Sequence, residues 1–448
     1  MKVLVVVARG LQAGALSCYG NAWIESPNLD FLASEGVVFD QHLADAVDAD
    51  AVRRVWRTGR YHLPGSSEIE AADLIAALRA RNAFTCLIRD TSPEKGDAAH
   101  FYKNELRPLF PATTAFEESW DQVVRVAPPP PDSEDTPLVL ALEAARIALR
   151  KLAGRTDWLL WLEVATPLPP WDVPEGFREP YFTAPEATEE SADETEDDEA
   201  EEEVEILEPI TGVAPGEIDP GDDTLFLRLQ SSYAAAVTYL DAGIGQLLED
   251  LGEAADDVLL VVTTDGGQQL GEHGVVGPVR PWLHEEVVHL PLIVCLPGGA
   301  EAGRRIASLT QPVDLAPTLA DVFETSLPSA QGHSLVPLMQ GDAEQVRDYA
   351  VAGHRLGKYA EWYLRTREWA FLLPEADEEA QPPRTPQLYV KPDDRWEVNN
   401  VVQHQPELIE RMERTLRAFV QATRQSGPLH VPPLEEPQTV SKDEGGTS

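Results

Sequence analysis

The stretch Val258–Val294, VLLVVTTDGGQQLGEHGVVGPVRPWLHEEVVHLPLIV, decides how the chain is read. It opens on an apolar run rich in Val and Leu, which suits a strand buried on both faces. The run ends at Thr263-Thr264-Asp265-Gly266-Gly267. An acid followed by two glycines at the C-terminal end of a strand is where an open α/β sheet presents its ligand chemistry. A second apolar run, Leu290–Leu296, stops at Pro297-Gly298-Gly299. The skeleton is strand, polar loop, strand. The loop carries Asp265, Glu272, His273, Arg280, His284, Glu285 and Glu286.

Working outward, Lys2–Val7 is an almost unbroken β-branched run, as a central parallel strand needs. Ser26–Ala33 starts a short helix with Pro27 at an early position, and Val37–Phe39 follows as a strand. Glu68–Ala80 reads as a helix and Phe84–Ile88 as a strand. Phe101–Pro131 is aromatic and proline-rich and reads as a loop that is stiff at Pro128–Pro131. Leu138–Leu152 is helical by its Ala and Leu spacing, and Trp158–Val164 is the next buried strand. In Phe226–Leu251, Tyr233, Val237, Leu240, Ile244, Leu247 and Leu251 recur at steps of three and four, a helix with one buried stripe. After Asp348 the pattern changes. Trp362–Thr366 and Trp369–Leu373 flank a turn at Arg367-Glu368, Gln387–Val390 follows, and Pro406–Gln425 is an amphipathic helix.

Composition bounds the partners. The 448 residues carry 77 acids against 35 bases, a net charge of −42, which argues against nucleic acid and anionic membranes. Fourteen acids and no base lie in Glu186–Glu208, so about −28 remains elsewhere. That run reads as a disordered acidic insertion. Three cysteines, Cys18, Cys86 and Cys295, lie too far apart to suggest a disulfide framework. Met1–Ala8 lacks the length and cleavage site of a signal peptide, and no segment approaches 18 apolar residues. The expected location is the cytoplasm.

The phrases TDGGQQLGEHG (264–274) and HEEVVHLPLIV (284–294) resemble the C-terminal signature of the sulfatase family, within the alkaline-phosphatase superfamily. The N-terminus is similar too: a strand, then LSCYG (16–20), SPNLDFLA (26–33) and GVVF (36–39). Thr58-Gly59-Arg60-Tyr61, Val313–Leu319, Gln331–Leu335 and Leu388–Asn400 continue the likeness, which covers roughly residues 2–425. The resemblance implies an α/β fold built on a large mixed, mostly parallel sheet flanked by helices, in a domain of residues 1–345. It also implies a small C-terminal antiparallel sheet-plus-helix subdomain at 346–425, with a mobile polar tail at 426–448.

What the resemblance implies for chemistry is mostly replaced in this chain. The family's two adjacent aspartates fall on Arg9 and Gly10, and its metal-binding His or Asn on Gly266. With Asp265, those side chains would hold a divalent cation, usually Ca²⁺ in the family. One of the four usual ligands remains, so no cofactor is expected. The family's C-x-P-S-R motif, whose Cys becomes the formylglycine nucleophile, falls on Ala49-Asp50-Ala51-Val52-Arg53. Asp50 could attack as a carboxylate only with an activating partner, and Asp48 and Asp50 read as helix caps. The family's His in P-H-x-P is Leu168, its active-site Lys is Arg280, and its G-K-W-H segment falls near Arg89-Asp90-Thr91-Ser92.

The leading expectation is a catalytically inactive sulfatase homologue. Arg9 is expected to occupy the vacated cation position and pair with Asp265, because a buried carboxylate needs a partner. Arg9, Arg53 and Arg280 would then line a pocket for a small anion: sulfate, phosphate or carboxylate. Two alternatives stand beside it. One is an active sulfuric-ester or phosphate-ester hydrolase rebuilt around His273, His284, Glu285, Glu286 and His289. Against it, these residues read as surface and hinge positions before a strand. The other is an interaction module that binds a protein partner through the acidic insertion.

Overall fold

The computed structural model describes residues 1–66, 71–90, 114–130, 133–182, 207–277, 280–375, 384–425 and 429–434. Its strands run in chain order as β1 (Lys2–Ala8), β2 (Val37–His42), β3 (Phe84–Asp90), β4 (Gln122–Val126), β5 (Trp158–Val164), β6 (Gly216–Glu217), β7 (Val258–Thr263), β8 (Val275–Val276), β9 (Ile293–Cys295), β10 (Arg304–Thr310), β11 (Ala350–Leu356), β12 (Tyr359–Arg365), β13 (Trp369–Pro374) and β14 (Gln387–Val390). Eight of them form one sheet in the order β10-β2-β9-β7-β1-β5-β3-β4. All pairs are parallel except those made by β9, which runs antiparallel to both β2 and β7. A large, mixed and mostly parallel sheet is therefore present, as is the small antiparallel one, β11-β12-β13-β14.

The apolar run of β1 explains its central place. Leu4, Val6 and Ala8 point into one core, and Val3, Val5 and Val7 into another. A strand buried on both faces has no polar side to offer, so it sits mid-sheet between two parallel partners. The helices Pro27–Glu35, Pro137–Leu152 and Asp223–Leu251 cover the first face. The helices Ala49–Thr58, Leu74–Ala80 and Leu315–Val322 cover the second. The small sheet is likewise covered twice. Met412, Leu416 and Phe419 of the helix Pro406–Thr423 pack on Val351, Leu364 and Phe371. Leu283, Val288 and Leu290 of the large domain pack on Ala352, Tyr363 and Leu372.

Several expectations change. Only Ile293–Cys295 of the second apolar run pairs as strand, because Pro291 and Pro297 bound it. Within the Phe101–Pro131 loop, Gln122–Val126 is an edge strand paired with β3. β10 and β11 carry too mixed a pattern to be read in advance. The described helix before β3 begins at Leu74, with Asp73 as its N-cap. Most of the acidic insertion and the tail beyond 434, with Phe101–Thr113, Thr91 and Ser92, lie outside the described residues.

The loop His284–His289 is not the surface hinge that its charges suggested. His284, Glu285, Glu286 and His289 are all buried beneath the small sheet.

Candidate functional site

The parallel strands β1, β5 and β7 end on the same edge, and each delivers a charge there. Arg9 follows β1, Glu163 lies near the end of β5, and Asp265 follows β7. The Arg9 backbone N–H donates to the Val164 carbonyl at 3.0 Å, which extends the ladder and aims the guanidinium toward β7. Arg9 Nε donates to Asp265 Oδ2 at 2.8 Å, with both side chains buried. The pairing expected from sequence is in place.

Arg53 enters from the helix Ala49–Thr58. Its Nη1 donates to the Ala49 carbonyl at 2.9 Å and to Asp265 Oδ2 at 3.4 Å, and its Nη2 donates to Glu163 Oε2 at 2.9 Å. Arg89 Nε lies 2.8 Å from Glu163 Oε2 as an ion pair, and Arg89 reaches Glu117, which pairs in turn with Arg125. Burial works against the Glu163 carboxylate, but Arg53 and Arg89 outweigh it and hold its pKa at about 2. Next to them, burial raises Asp90 to about 6, although its Oδ2 accepts the Ala165 N–H at 2.6 Å.

The helix that brings Arg53 is capped by Asp48, whose carboxylate accepts the Ala51 N–H at 2.9 Å. Asp48 acts as a cap, as read from sequence. Asp50 is exposed on the helix and is not part of the cleft wall. The first residue of this helix, Ala49, does face the cleft.

That cleft opens above the edge of the sheet. Six of the eight positions singled out in sequence line it: Arg9, Gly10, Ala49, Leu168, Asp265 and Gly266. Arg53 lies beneath the floor, 1% exposed. Arg280 is turned elsewhere. Its Nε donates to Glu361 on β12 at 2.8 Å, and its guanidinium sits over the Tyr359 ring at 4.9 Å. The structure thus brings Arg9, Arg53 and Asp265 together but leaves Arg280 out of that group.

Leu168, just past the end of β5, packs against Gly10. A Cβ added to Gly10 would lie 2.4 Å from Leu168 Cδ2, and Gly10 holds φ +76°. Gly266 is the opposite case, since an added Cβ there meets nothing within 4 Å.

Sequence reading missed Glu163 and Glu117, and it placed Arg89 only near the family's G-K-W-H segment without a partner. A signal existed: Glu163 and Arg89 each interrupt an otherwise apolar strand near its C-terminal end, and buried charges are rarely left unpaired.

The three histidines of the rebuilt-site alternative are each held by a carboxylate. His273 Nδ1 lies 2.9 Å from Glu286, His284 Nδ1 2.9 Å from Glu397, and His289 Nδ1 2.8 Å from Glu285. Lys391 Nζ bridges Glu285 at 3.0 Å and Glu397 at 3.2 Å. His273 and His284 stack at 3.7 Å. Among the described residues, no group of three or more His, Cys, Asp or Glu is arranged to hold a metal ion.

A mostly parallel sheet, helices on both faces and an acid-glycine turn at the sheet edge opposite a helix N-terminus make an open α/β fold with its candidate site at the C-terminal ends of the strands. A family model described as Sulfatase matches residues 2–325, and the chain belongs to the sulfatase family. An N-acetylglucosamine-6-O-sulfatase of Bacteroides thetaiotaomicron is 33% identical over 133 residues, covering 29% of this chain and 23% of that protein. Arylsulfatase K of Mus musculus is 25% identical over 217 residues, covering 45% and 38%. The matched segments therefore span well under half of these relatives' lengths. The crystal structure of a phosphonate monoester hydrolase of Agrobacterium radiobacter superposes with a TM-score of 0.68 at 19% identity, over 95% of this chain and 96% of that one. Among the described residues no helix is long and apolar enough to cross a membrane.

Proposed function

We propose that this sulfatase-family chain does not hydrolyse sulfate or phosphate esters and works instead as a binding protein. The observation that carries this reading is the buried Arg9–Asp265 pair at 2.8 Å. A divalent cation needs several oxygen ligands and no neighbouring positive charge. The residues present do not fit one, because the remaining acid is already neutralised by a guanidinium and a leucine packs over Gly10. Ala49 offers a methyl group where a nucleophile would be required. The alternative of a site rebuilt around His273, His284 and His289 gains little support from their contacts, since each ring is bound to a carboxylate within a closed network. The three cysteines are free, which suits a reducing compartment such as the cytoplasm.

The test is hydrolysis of 4-nitrophenyl sulfate and 4-nitrophenyl phosphate by purified full chain, alone and with Ca²⁺, Mn²⁺ or Zn²⁺. The expected result is no release of nitrophenol above buffer in any condition. The expected companion result is that Ca²⁺ leaves the melting temperature unchanged. Turnover that co-purifies with the chain and disappears in a folded Asp265→Ala variant would sink the proposal.

A further inference from the structure

The cleft has walls suited to a different kind of guest. Leu168, Trp171, Val213, Leu270, Trp282 and Leu356 are among the apolar residues that line it. Leu356 stands at the mouth, 43% exposed. His354 lies edge-on to Trp282 at 4.6 Å, and burial lowers its pKa, so its ring is neutral at pH 7. The open space beside Gly266 adjoins these rings.

Charge around the cleft is matched rather than offered. Arg9 is engaged by Asp265, Arg53 by Glu163 and Asp265, Arg89 by Glu163 and Glu117, and Arg280 by Glu361. An incoming anion would meet Asp265 on the same wall and would lose its hydration to an apolar surface. An apolar pocket with a few convergent polar groups has the make-up of a small-molecule site.

We infer that the cleft binds a neutral aromatic molecule of one or two fused rings, in place of an anionic ester. This rests on the reading that the chain does not turn over such esters. The cavity holds about 70 Å³. That is less than the roughly 150 Å³ that encloses benzene in a sealed core, so a ring lies partly in the open mouth beside Leu356.

The experiment is calorimetric titration of the full chain at pH 7 with 2-naphthol, 2-naphthyl sulfate and inorganic sulfate. The naphthol should bind at least about tenfold more tightly than its sulfate ester, and inorganic sulfate should not displace it. Gly266→Leu should abolish naphthol binding without lowering the melting temperature, because the new side chain enters open space and the Gly266 backbone is not left-handed. Leu356→Asp, at the exposed mouth, should weaken it about fivefold or more. Tighter binding of the ester, displacement by sulfate, absence of naphthol binding, or full binding by Gly266→Leu each overturns the inference. Release of naphthol from its ester would instead overturn the inactive reading, so the two failures are separable.

Discussion

The floor of the cleft and the clasp beneath the small sheet are both dense with buried charge, yet they have opposite surroundings. The floor gathers Arg9, Arg53 and Arg89 around Asp265, Glu163 and Glu117, and one side of it faces open space. The clasp gathers Lys391, His273, His284 and His289 around Glu285, Glu286 and Glu397, sealed between the large domain and the small sheet. Glu397 shows how tightly the clasp is held. It sits at φ +58°, a costly backbone for a non-glycine residue. Its carboxylate forms an ion pair with Lys391 at 3.2 Å, lies 2.9 Å from His284 Nδ1 and accepts the Glu285 N–H at 3.1 Å. Charge density therefore does not mark the functional end of this molecule. Under the proposed function, the cleft is set apart by the open space beside its charge.

Removing one partner from either cluster leaves buried charge uncompensated, and the floor should suffer more. Arg53→Ala leaves Glu163 with Arg89 and Asp265 with Arg9, but it removes a fully buried guanidinium together with its bonds to both acids and to the Ala49 carbonyl, and should cost about 3–5 kcal/mol of unfolding free energy. Lys391→Ala leaves Glu285 with His289 and Glu397 with His284, so about 2–3 kcal/mol is expected. Urea unfolding of both variants checks the order. An Arg53→Ala loss smaller than that of Lys391→Ala would reverse the comparison.

One group in each cluster should lose its contribution at opposite ends of the pH scale. Burial lowers the His273 pKa, but its contact with Glu286 outweighs this and lifts it to about 9. A raised histidine contributes stability that is complete below its ordinary value near 6.5 and is lost as pH rises through 9. Glu163, held at about 2 against an ordinary 4.5, contributes stability present above 4.5 and lost as pH falls through 2. Melting temperatures of His273→Gln should converge on the parent between pH 6.5 and 9, and those of Glu163→Gln below pH 4.5. Glu272, which burial and Glu286 raise to about 7, titrates in the same window and shares Glu286 with His273, so the comparison is made in a Glu272→Gln background. Convergence on the same side for both would show that the clusters share one titration.

The difference between scaffold and site also governs what could be read from the chain. β1, β5 and β7 were legible because a strand buried on both faces must be continuously apolar. The long helix to Leu251 was legible because its buried stripe keeps a helical period over 29 residues. β4 and β10 were not, since edge strands answer to one neighbour and tolerate mixed side chains. The Arg9–Asp265 pair could be anticipated because a single buried acid demands a partner. The outward turn of Arg280 could not, because its partner Glu361 lies on a strand 81 residues away. The burial of His284–His289 was equally hidden. Only the docking of the small sheet turns those charges from surface groups into a clasp.

The smallest effect bears on the helix Ala49–Thr58, which carries Arg53 to the floor. Its N-terminus faces the cleft through Ala49, and two acids, Asp48 and Asp50, stand beside it. If Asp48 is a cap and nothing more, Asp48→Ala should lower stability by about 1 kcal/mol and Asp48→Ser should restore most of it, because a hydroxyl can accept the same N–H. Neither change should alter 2-naphthol binding, since the carboxylate is spent on the helix and does not line the cleft. Chemical denaturation and titration of the same two variants measure both quantities. A binding loss in Asp48→Ser, with stability restored, would move Asp48 from the scaffold to the site and blur the boundary between them.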